Sequence, residues 1–269
     1  MQLTVIIPAF NEEKRLPETL TKVKDYLDRQ NYDWEVLVVN DGSRDRTAEV
    51  VSKWINSKSQ NPNVKQNPKS KIQNNFRLID NKENRGKGGV VKQGMLEACG
   101  DWRLFMDADN STDISEIQKL WDFANPKSET LNPKQIQNQN DQNYEIVIGS
   151  RYLKKDSIKV KQPFIRRIVS RMGNLLIQIL LSINLKDTQC GFKLFYGKAV
   201  EDIFPKQTIM RWGFDMEILA IARKKGYKIK EVAVDWYDSA STTVKKSAAL
   251  KTLKELIAIK WNLIKGEYN

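Results

Sequence analysis

The sequence predicts an α/β protein with a mostly parallel central sheet and with amphipathic helices in its C-terminal part. Short apolar runs alternate with helical patterns through the first half of the chain. Polar loops follow these runs, in the order strand, loop, helix that is typical of βαβ units. With 269 residues, the chain is long enough for one large α/β domain or two small ones.

The first half of the chain has the clearest strand and helix patterns. Apolar runs of three to six residues that end in polar loops predict buried strands. Apolar residues that recur every three or four positions predict the helices between them. The predicted strands are residues 3–8, 34–39, 77–79, 104–106 and 144–148, and the predicted helices are 16–27, 47–55, 90–99 and 114–123.

The second half of the chain contains two long amphipathic patterns, at residues 166–183 and 250–264. Each has an apolar stripe next to Lys or Arg. Such a stripe packs in a core or lies on a lipid surface, and the spacing alone leaves both open. Between them, residues 216–225 predict a helix and residues 229–236 an edge strand.

Two segments, residues 57–76 and 126–143, are rich in Asn, Lys, Gln and Pro and contain few apolar residues. A packed core needs apolar side chains, so this composition is typical of mobile loops. We expect both segments to interrupt the main domain without belonging to its core.

The composition limits the chemistry. Lys and Arg number 45 against 33 Asp and Glu, a formal charge of +12, which favours anionic partners such as nucleotides, phosphates, nucleic acids or an acidic membrane face. The chain has no His, which excludes a Ser-His-Asp mechanism and a His-ligated metal. Cys99 and Cys190 have no metal-binding spacing and indicate a reduced, cytosolic setting. We expect neither a signal peptide nor a membrane-spanning helix.

A pair of aspartates, Asp107 and Asp109, follows the apolar run at residues 104–106. Residues i and i+2 of an extended backbone point the same way, so both carboxylates can face one ion at the strand end. Hard oxygen ligands in this position suit Mg²⁺ or Mn²⁺, which share such sites with substrate phosphates. The alternative is a polar turn in which Asp107 caps a helix.

Other polar residues fall where ligands bind parallel sheets, at the carboxyl ends of predicted strands. Asn11, Glu12 and Asp41 have this position. The turn at residues 84–89 carries three glycines and Lys87 before a predicted helix, and its free N–H groups could hold a phosphate. This turn is neither a Walker A nor a Rossmann fingerprint, and a plain helix start explains it equally well.

Eight short stretches together resemble glycosyltransferase family 2, the inverting enzymes that use nucleotide sugars. They occur in the family's order and cover nearly the whole chain apart from the two loops and the C-terminal tail. Within the family, the likeness is greatest to the dolichyl-phosphate β-glucosyltransferases, followed by the polyprenyl-phosphate mannosyl- and glucosyltransferases. The stretches are VIIPAFNEEKRLP, VVNDGSRDRT, ENRGKGGVVKQGML, FMDADNSTD, IGSRY, DTQCGFKLF, RWGFDMEIL and IKEVAVDW.

The resemblance implies a glycosyltransferase A-type catalytic domain at residues 1–241 and a basic amphipathic helix at 242–269. It implies transfer of a hexose, with UDP-glucose as the expected donor, to a polyprenyl or dolichyl phosphate, with Mg²⁺ or Mn²⁺ bound. The implied site residues are Pro8, Ala9, Asn11, Glu12, Asp41, Lys87, Asp107, Ala108 and Asp109 at the nucleotide, Asp107 and Asp109 at the metal, Arg151 and Arg211 at the acceptor phosphate, and Asp187 and Asp215 as acids that orient or activate the acceptor.

The implied mechanism follows from charge. A divalent ion across the two donor phosphates would stabilise the leaving nucleoside diphosphate, and a single in-line attack would invert the anomeric carbon. A lipid phosphate is already ionised at neutral pH, so it needs no strong base, which suits a chain without His. Ser111 stands where mannosyltransferase relatives often have Gln, which argues against a third metal ligand there.

The amphipathic helices and the positive charge predict a cytoplasmic protein that is peripheral on the cytoplasmic membrane face. Two other functions fit the residues: a family 2 transferase with a non-lipid saccharide acceptor, and a non-catalytic basic module that binds phosphate or nucleic acid. Lys and Arg are spread along the chain and do not form one patch interleaved with aromatic residues. We therefore expect no nucleic-acid partner.

Overall fold

The computed structural model describes most of the chain and leaves the predicted loop at 126–143 outside the described residues. The loop predicted at 57–76 was too long, because residues 57–59 end a helix and Phe76 begins a strand; residues 60–74 lie outside the described part. The described residues are 1–59, 75–124, 144–154, 156–159, 164–237 and 246–269.

The strands of the described residues are β1 (Leu3–Ala9), β2 (Trp34–Asn40), β3 (Phe76–Asp80), β4 (Trp102–Met106), β5 (Ile146–Ser150), β6 (Phe192–Tyr196) and β7 (Ile229–Ala233). They form one sheet in the order β3-β2-β1-β4-β6-β5-β7. Strands β1 to β4 are parallel, and β5 is parallel to β7. Only β6 runs antiparallel to its neighbours β4 and β5 within this sheet. The predicted mostly parallel sheet is confirmed.

Helices cover both faces of the sheet. In the described residues they are α1 (Leu16–Leu27), α2 (Thr47–Ser59), α3 (Lys87–Glu97), α4 (Ile117–Ala124), α5 (Phe164–Leu181), α6 (Gly197–Ile203), α7 (Phe214–Lys224) and α8 (Lys246–Lys265), with 3₁₀ turns at Ile114–Glu116 and Phe204–Lys206. The sequence pattern did not predict α6. It also began the third and seventh helices too late, since Lys87 and Phe214 are their first residues.

The core consists of two apolar layers, one on each face of the sheet. Strand β1 contributes to both: Ile6 packs with the layer under α3 and α5 to α8, whereas Val5 and Ile7 pack with the layer under α1, α2 and α4. All seven residues of β1 are buried. A strand covered on both faces reads as a continuous apolar run, which is why the first strand was easy to predict.

The chain reverses its direction of winding at β1. It passes from β1 to β2 and β3 on one side, and then returns to place β4 on the other side. Ligands of open α/β sheets bind at such a switch point, outside the carboxyl ends of the strands. Asn11 and Asn110 follow β1 and β4 with φ of 57° and 53°, a left-handed conformation that Asn tolerates better than most residues.

Helices α5 and α8 are neighbours, and each has a buried and an exposed apolar face. Ile177 and Leu181 of α5, and Leu256 and Ile259 of α8, pack in the core. Within the described residues, no helix is both long and apolar enough to cross a membrane. The exposed apolar side chains are Met172, Leu175, Leu176 and Ile179 on α5 and Leu253, Ile257, Trp261 and Ile264 on α8.

Candidate active site

Asp107 lies directly after β4 and pairs with Lys87, the first residue of α3. The Lys87 Nζ is 2.6 Å from Asp107 Oδ1, and the two side chains are 22% and 33% exposed. Asp107 also packs on Gly191, where an added Cβ would lie 2.1 Å from Asp107 Oδ2. The Asp107 N–H donates to the Gly191 carbonyl at 3.1 Å. Only a glycine at position 191 leaves room for the Asp107 carboxylate in this position. The turn that follows is capped by Asp113, so the alternative that Asp107 caps a helix is wrong.

The carboxylates of Glu12 and Asp109 lie in the same crevice as Asp107. Burial raises the pKa of Glu12; Arg15 opposes this, and the charges of Asp109 and Asp107 raise the pKa further. Arg15 donates two hydrogen bonds to Glu12, at 2.6 and 2.7 Å. Asp109 Oδ1 accepts from the Ser111 N–H at 3.0 Å. The charges of Asp107 and Asp109, after β4, therefore act on Glu12, after β1.

Lys87 provides the positive charge of this crevice. Burial lowers its pKa, but the carboxylates of Asp107, Asp215 and Asp109 outweigh that effect, so the pKa lies above its ordinary value. The Lys87 Nζ is also 5.8 Å from the centre of the Trp212 ring. Lys87 is thus protonated at the N-terminus of α3, where a helix favours anions.

Asp41 shapes the glycine-rich turn before α3. Its Oδ1 accepts from the N–H groups of Arg85 and Gly86 at 2.6 and 3.2 Å, and its Oδ2 from Asn84 Nδ2 at 2.9 Å. Burial raises its pKa, against the effect of these backbone hydrogen bonds. Both oxygens of the Asp41 carboxylate thus have partners within the protein. The predicted contact of Asp41 with a nucleotide base stays a prediction.

The other residues predicted at the nucleotide lie at the same edge but differ in exposure. Pro8 and Ala9 are buried within β1, Glu12 is half-buried and Asn11 is exposed. The Asn11 N–H donates to Ser43 Oγ at 2.9 Å, which ties the loop after β1 to the loop after β2. The buried Ala108 lies between the two aspartates, and its carbonyl accepts from Thr19 Oγ1 at 2.8 Å.

Asp187 and Arg151 form a closed ion pair beside this crevice. The guanidinium donates from Nε to Oδ2 and from Nη2 to Oδ1, at 2.7 and 2.8 Å, and Asp187 is fully buried. Burial raises the pKa of Asp187, but Arg151 outweighs it and the pKa lies below its usual range. The pair ties the end of β5 to the segment before β6. The predicted contacts of both residues with the acceptor stay predictions.

Asp215 lies in the first turn of α7 and bonds to Lys193 of β6, which is fully buried. Gly213 occupies the N-cap position of this helix, so Asp215 does not cap it. Burial raises the pKa of Asp215, against the charges of Lys193 and Lys87. The sequence analysis missed Lys193, although a lysine inside the apolar strand Phe192–Tyr196 is a signal of a buried charge partner.

Arg211 is exposed in the segment before α7. Its charge lowers the pKa of Asp41, which burial raises, so the guanidinium lies near the glycine-rich turn. An added Cβ at Gly86 would lie 3.1 Å from Arg211 Cγ. The structure therefore brings Arg211 to the crevice, as an exposed cation next to Lys87 and its turn.

The crevice suits a divalent ion that is shared with a ligand. Among the described residues, no three Cys, Asp or Glu side chains are close enough to hold a metal by themselves. Asp107 and Asp109 nevertheless supply two hard oxygen donors, and the Asp107 carboxylate already contacts one cation, the Lys87 ammonium. These donors fit Mg²⁺ or Mn²⁺ that takes its remaining ligands from phosphates.

Comparison with known families identifies the protein family to which this chain belongs. Residues 4–204 match the family model described as glycosyl transferase family 2. The chain belongs to glycosyltransferase family 2. It is therefore an enzyme, a glycosyltransferase, as its motifs predicted.

Several family 2 relatives are named dolichyl-phosphate β-glucosyltransferase. One from Trichomonas vaginalis is 37% identical over 96% of this chain and 72% of its own length. That of Saccharomyces cerevisiae is 34% identical over 99% of this chain and 76% of its own length. The human one is 31% identical, with 99% and 77% covered.

Solved structures show the same fold. Glucosyl-3-phosphoglycerate synthase from Mycobacterium tuberculosis, in complex with Mn²⁺, UDP and phosphoglyceric acid, has a TM-score of 0.64 and 13% identity, with 100% of this chain and 78% of that chain covered. Mannosyl-3-phosphoglycerate synthase from Rubrobacter xylanophilus also has a TM-score of 0.64 and 13% identity, with 99% and 75% covered. At these identities the likeness concerns the fold, and the glycosyltransferase A-type prediction is confirmed.

Proposed function

We propose that this glycosyltransferase transfers glucose from UDP-glucose to dolichyl phosphate or another polyprenyl phosphate, with inversion at the anomeric carbon and with bound Mg²⁺ or Mn²⁺. The observation that carries the proposal is the contact at the switch point between Asp107 and Lys87 at the N-terminus of α3, with the charge of Asp109 also acting on Lys87. The likeness to dolichyl-phosphate β-glucosyltransferases over nearly the whole chain supports the choice of donor and acceptor.

The donor side of the crevice matches a nucleoside diphosphate. Asp107 and Asp109 would hold the ion, which would neutralise the charge that develops on the leaving diphosphate. Lys87 and the positive end of the α3 dipole would bind the same phosphates. Lys87 now pairs with Asp107, and with an ion on that carboxylate the donor phosphates would be the partner of the Lys87 ammonium.

The acceptor side has to bring a second anion next to the donor. A lipid phosphate carries its own nucleophilic oxygen, so the site needs cations to screen repulsion more than it needs a base. The exposed Arg211 offers such a cation next to Lys87. Asp215 is paired with the fully buried Lys193, whose positive charge offsets the negative charge that this residue adds to the site.

Helices α5 and α8 support a position on the cytoplasmic membrane face. Their exposed apolar side chains include Met172, Ile179, Ile257, Trp261 and Ile264, each more than half exposed. Lysines of α8 flank this surface, which suits an anionic leaflet. Flotation with vesicles that contain anionic lipid tests this point. The variant Ile257→Ser with Trp261→Ser should float less while keeping its activity in detergent.

A donor and acceptor screen tests the reaction. UDP-glucose, GDP-mannose and other nucleotide sugars are incubated with purified protein, with Mg²⁺, Mn²⁺ or EDTA, and with dolichyl phosphate in detergent or with aqueous sugars. We expect glucose transfer from UDP-glucose to the lipid, with loss of transfer in EDTA. Glycosylation of an aqueous sugar alone would remove the lipid acceptor from the proposal, and full activity in EDTA would remove the metal.

A further inference from the structure

The segment at residues 207–213 joins the donor side of the crevice to helix α8. On the donor side it packs against the first turn of α3: the Gly89 N–H donates to the Met210 carbonyl at 3.1 Å, and Gln207 Nε2 donates to the Gly88 carbonyl at 2.9 Å. The packing is tight, since an added Cβ at Gly88 would lie 2.8 Å from the Ile209 carbonyl oxygen. The turn that carries Lys87 therefore holds residues 207–210 through contacts of its own.

Glu217 of α7 holds the beginning of the segment. This fully buried carboxylate accepts from the N–H and the hydroxyl of Thr208, at 3.0 and 2.6 Å, and from the Ile209 N–H at 2.7 Å. The hydroxyl of Tyr268, a fully buried residue after α8, donates to it at 2.7 Å. A buried carboxylate is costly unless it is well hydrogen-bonded, and here the donors come from the segment and from the region after α8.

Glu255 of α8 holds the end of the segment. Its Oε2 accepts from the Gly213 N–H at 2.8 Å, and an added Cβ at Gly213 would lie 2.9 Å from Glu255 Cβ. Arg211 and Trp212 lie between these two fixed points and are exposed. An added Cβ at Gly86 would lie 3.1 Å from Arg211 Cγ, so the Arg211 side chain packs against the glycine-rich turn.

We propose that Glu255 and Glu217 are positioning residues that fix the segment at residues 207–213 and so hold Arg211 and Trp212 beside Lys87. Glu255 belongs to helix α8, and Glu217 is bonded to Tyr268, which follows α8. Helix α8, whose outer face is apolar, therefore helps to support the acceptor side. The inference rests on the proposed function, because it takes Arg211 to meet the acceptor phosphate. Backbone N–H groups of a surface segment could bind water, whereas here three of them are directed at two carboxylates.

Steady-state kinetics of Glu255 variants test the proposal. Glu255→Ala leaves the Gly213 N–H without its partner, and we expect the KM for dolichyl phosphate to rise about tenfold, the value of one lost hydrogen bond, with the KM for UDP-glucose within about twofold. Glu255→Gln keeps an oxygen that accepts from Gly213 and should restore most of the acceptor KM. Glu267→Ala, which removes an exposed glutamate of the same region, serves as the control.

An unchanged acceptor KM in Glu255→Ala, an equal rise in both KM values, or a Glu255→Gln variant as impaired as Glu255→Ala would overturn the positioning role. The first outcome means that the segment needs no support from α8. The second indicates a general loss of structure, and the third means that charge, not the hydrogen bond to Gly213, is what matters.

Limited trypsin digestion gives a readout that does not depend on sugar transfer. Trypsin cuts after the exposed Arg211, and a loosened segment should be cut faster, since local opening exposes the backbone. We expect faster cleavage there in Glu255→Ala and in Tyr268→Phe, relative to cleavage after Lys82 in another exposed loop, and no change in Glu267→Ala. If Glu255→Ala is cleaved faster but the wild-type protein transfers no glucose, the proposed function is contradicted and the positioning role is not. If Glu255→Ala shows unchanged cleavage and normal glucose transfer, the positioning role is contradicted and the proposed function is not.

Discussion

Two aspartates at the same edge of the sheet are each paired with a cation, yet their surroundings differ. Asp187 is fully buried and accepts two hydrogen bonds from the guanidinium of Arg151. Asp107 is one-third exposed and has a single contact with the Lys87 ammonium. A closed pair, with a fully buried carboxylate, holds the fold together, whereas a half-open pair, with a partly exposed carboxylate, can exchange its partner for a ligand.

The difference follows from position in the sheet. Asp187 precedes the antiparallel strand β6, and the rings of Tyr152 and Trp236 lie 5.4 and 5.5 Å from the Arg151 guanidinium carbon. The Asp187 N–H also donates to Glu231 Oε1 of β7 at 2.7 Å. Asp107 instead follows β4 at the switch point, where neighbouring loops diverge and leave a crevice.

The largest expected effect is on stability, at the closed pair. Asp187→Asn removes the charge that compensates Arg151, whose side chain is only 18% exposed, and we expect the free energy of unfolding to fall by about 3–5 kcal/mol. Urea unfolding followed by circular dichroism measures this loss. A double variant, Asp187→Asn with Arg151→Met, should lose less than the sum of the two single changes, because no unpaired charge is left. Additive losses would show that the two residues are not coupled.

The next effect is on turnover, at the half-open pair. Asp109→Asn or Asp107→Asn removes a proposed ligand of the ion, and we expect kcat to fall by roughly 10²–10³-fold. The free energy of unfolding should change by less than about 1 kcal/mol, because both side chains are partly exposed. Glucose transfer and urea unfolding are measured on the same preparations. Near-normal turnover would remove these carboxylates from the reaction.

The smallest effect concerns the pH dependence of the closed pair. Burial raises the pKa of Asp187, but Arg151 outweighs it, so the folded pKa lies below the ordinary value of about 3.9. The stabilisation is therefore complete above about pH 4 and is lost as the pH falls through the folded pKa. The difference in unfolding free energy between wild type and Asp187→Asn should shrink on acidification. A constant difference would mean that the charge of Asp187 is not the cause.

The sequence predicted the fold well where both faces of an element are buried or its period is regular. Helix α1 has the predicted bounds, and strand β1 extends one residue beyond them. The carboxyl edge, with Asn11, Glu12, Asp41, Lys87, Asp107 and Asp109, was also foreseen, because parallel strands end at one edge and polar residues mark their ends.

The sequence could not show which charges face each other. Asp187 and Arg151 are 36 residues apart, and their closure depends on β6 entering the sheet between β4 and β5. The same holds for Lys193 and Asp215, whose contact joins β6 to α7. Such partners depend on the order of strands, which local patterns do not specify, so the pairing of Arg151 with Asp187 was not predicted.

The strand order has a consequence for synthesis of the protein. Strand β5 leaves the ribosome before β6 but has neighbours only in β6 and β7, which follow it in the chain. Until Phe192–Tyr196 has been made, β4 carries an unpaired edge, and Gly191 is not yet in place against Asp107. A nascent chain halted before this strand therefore has its four parallel strands without the surroundings that seat Asp107, and the site around Asp107 is completed only late in translation.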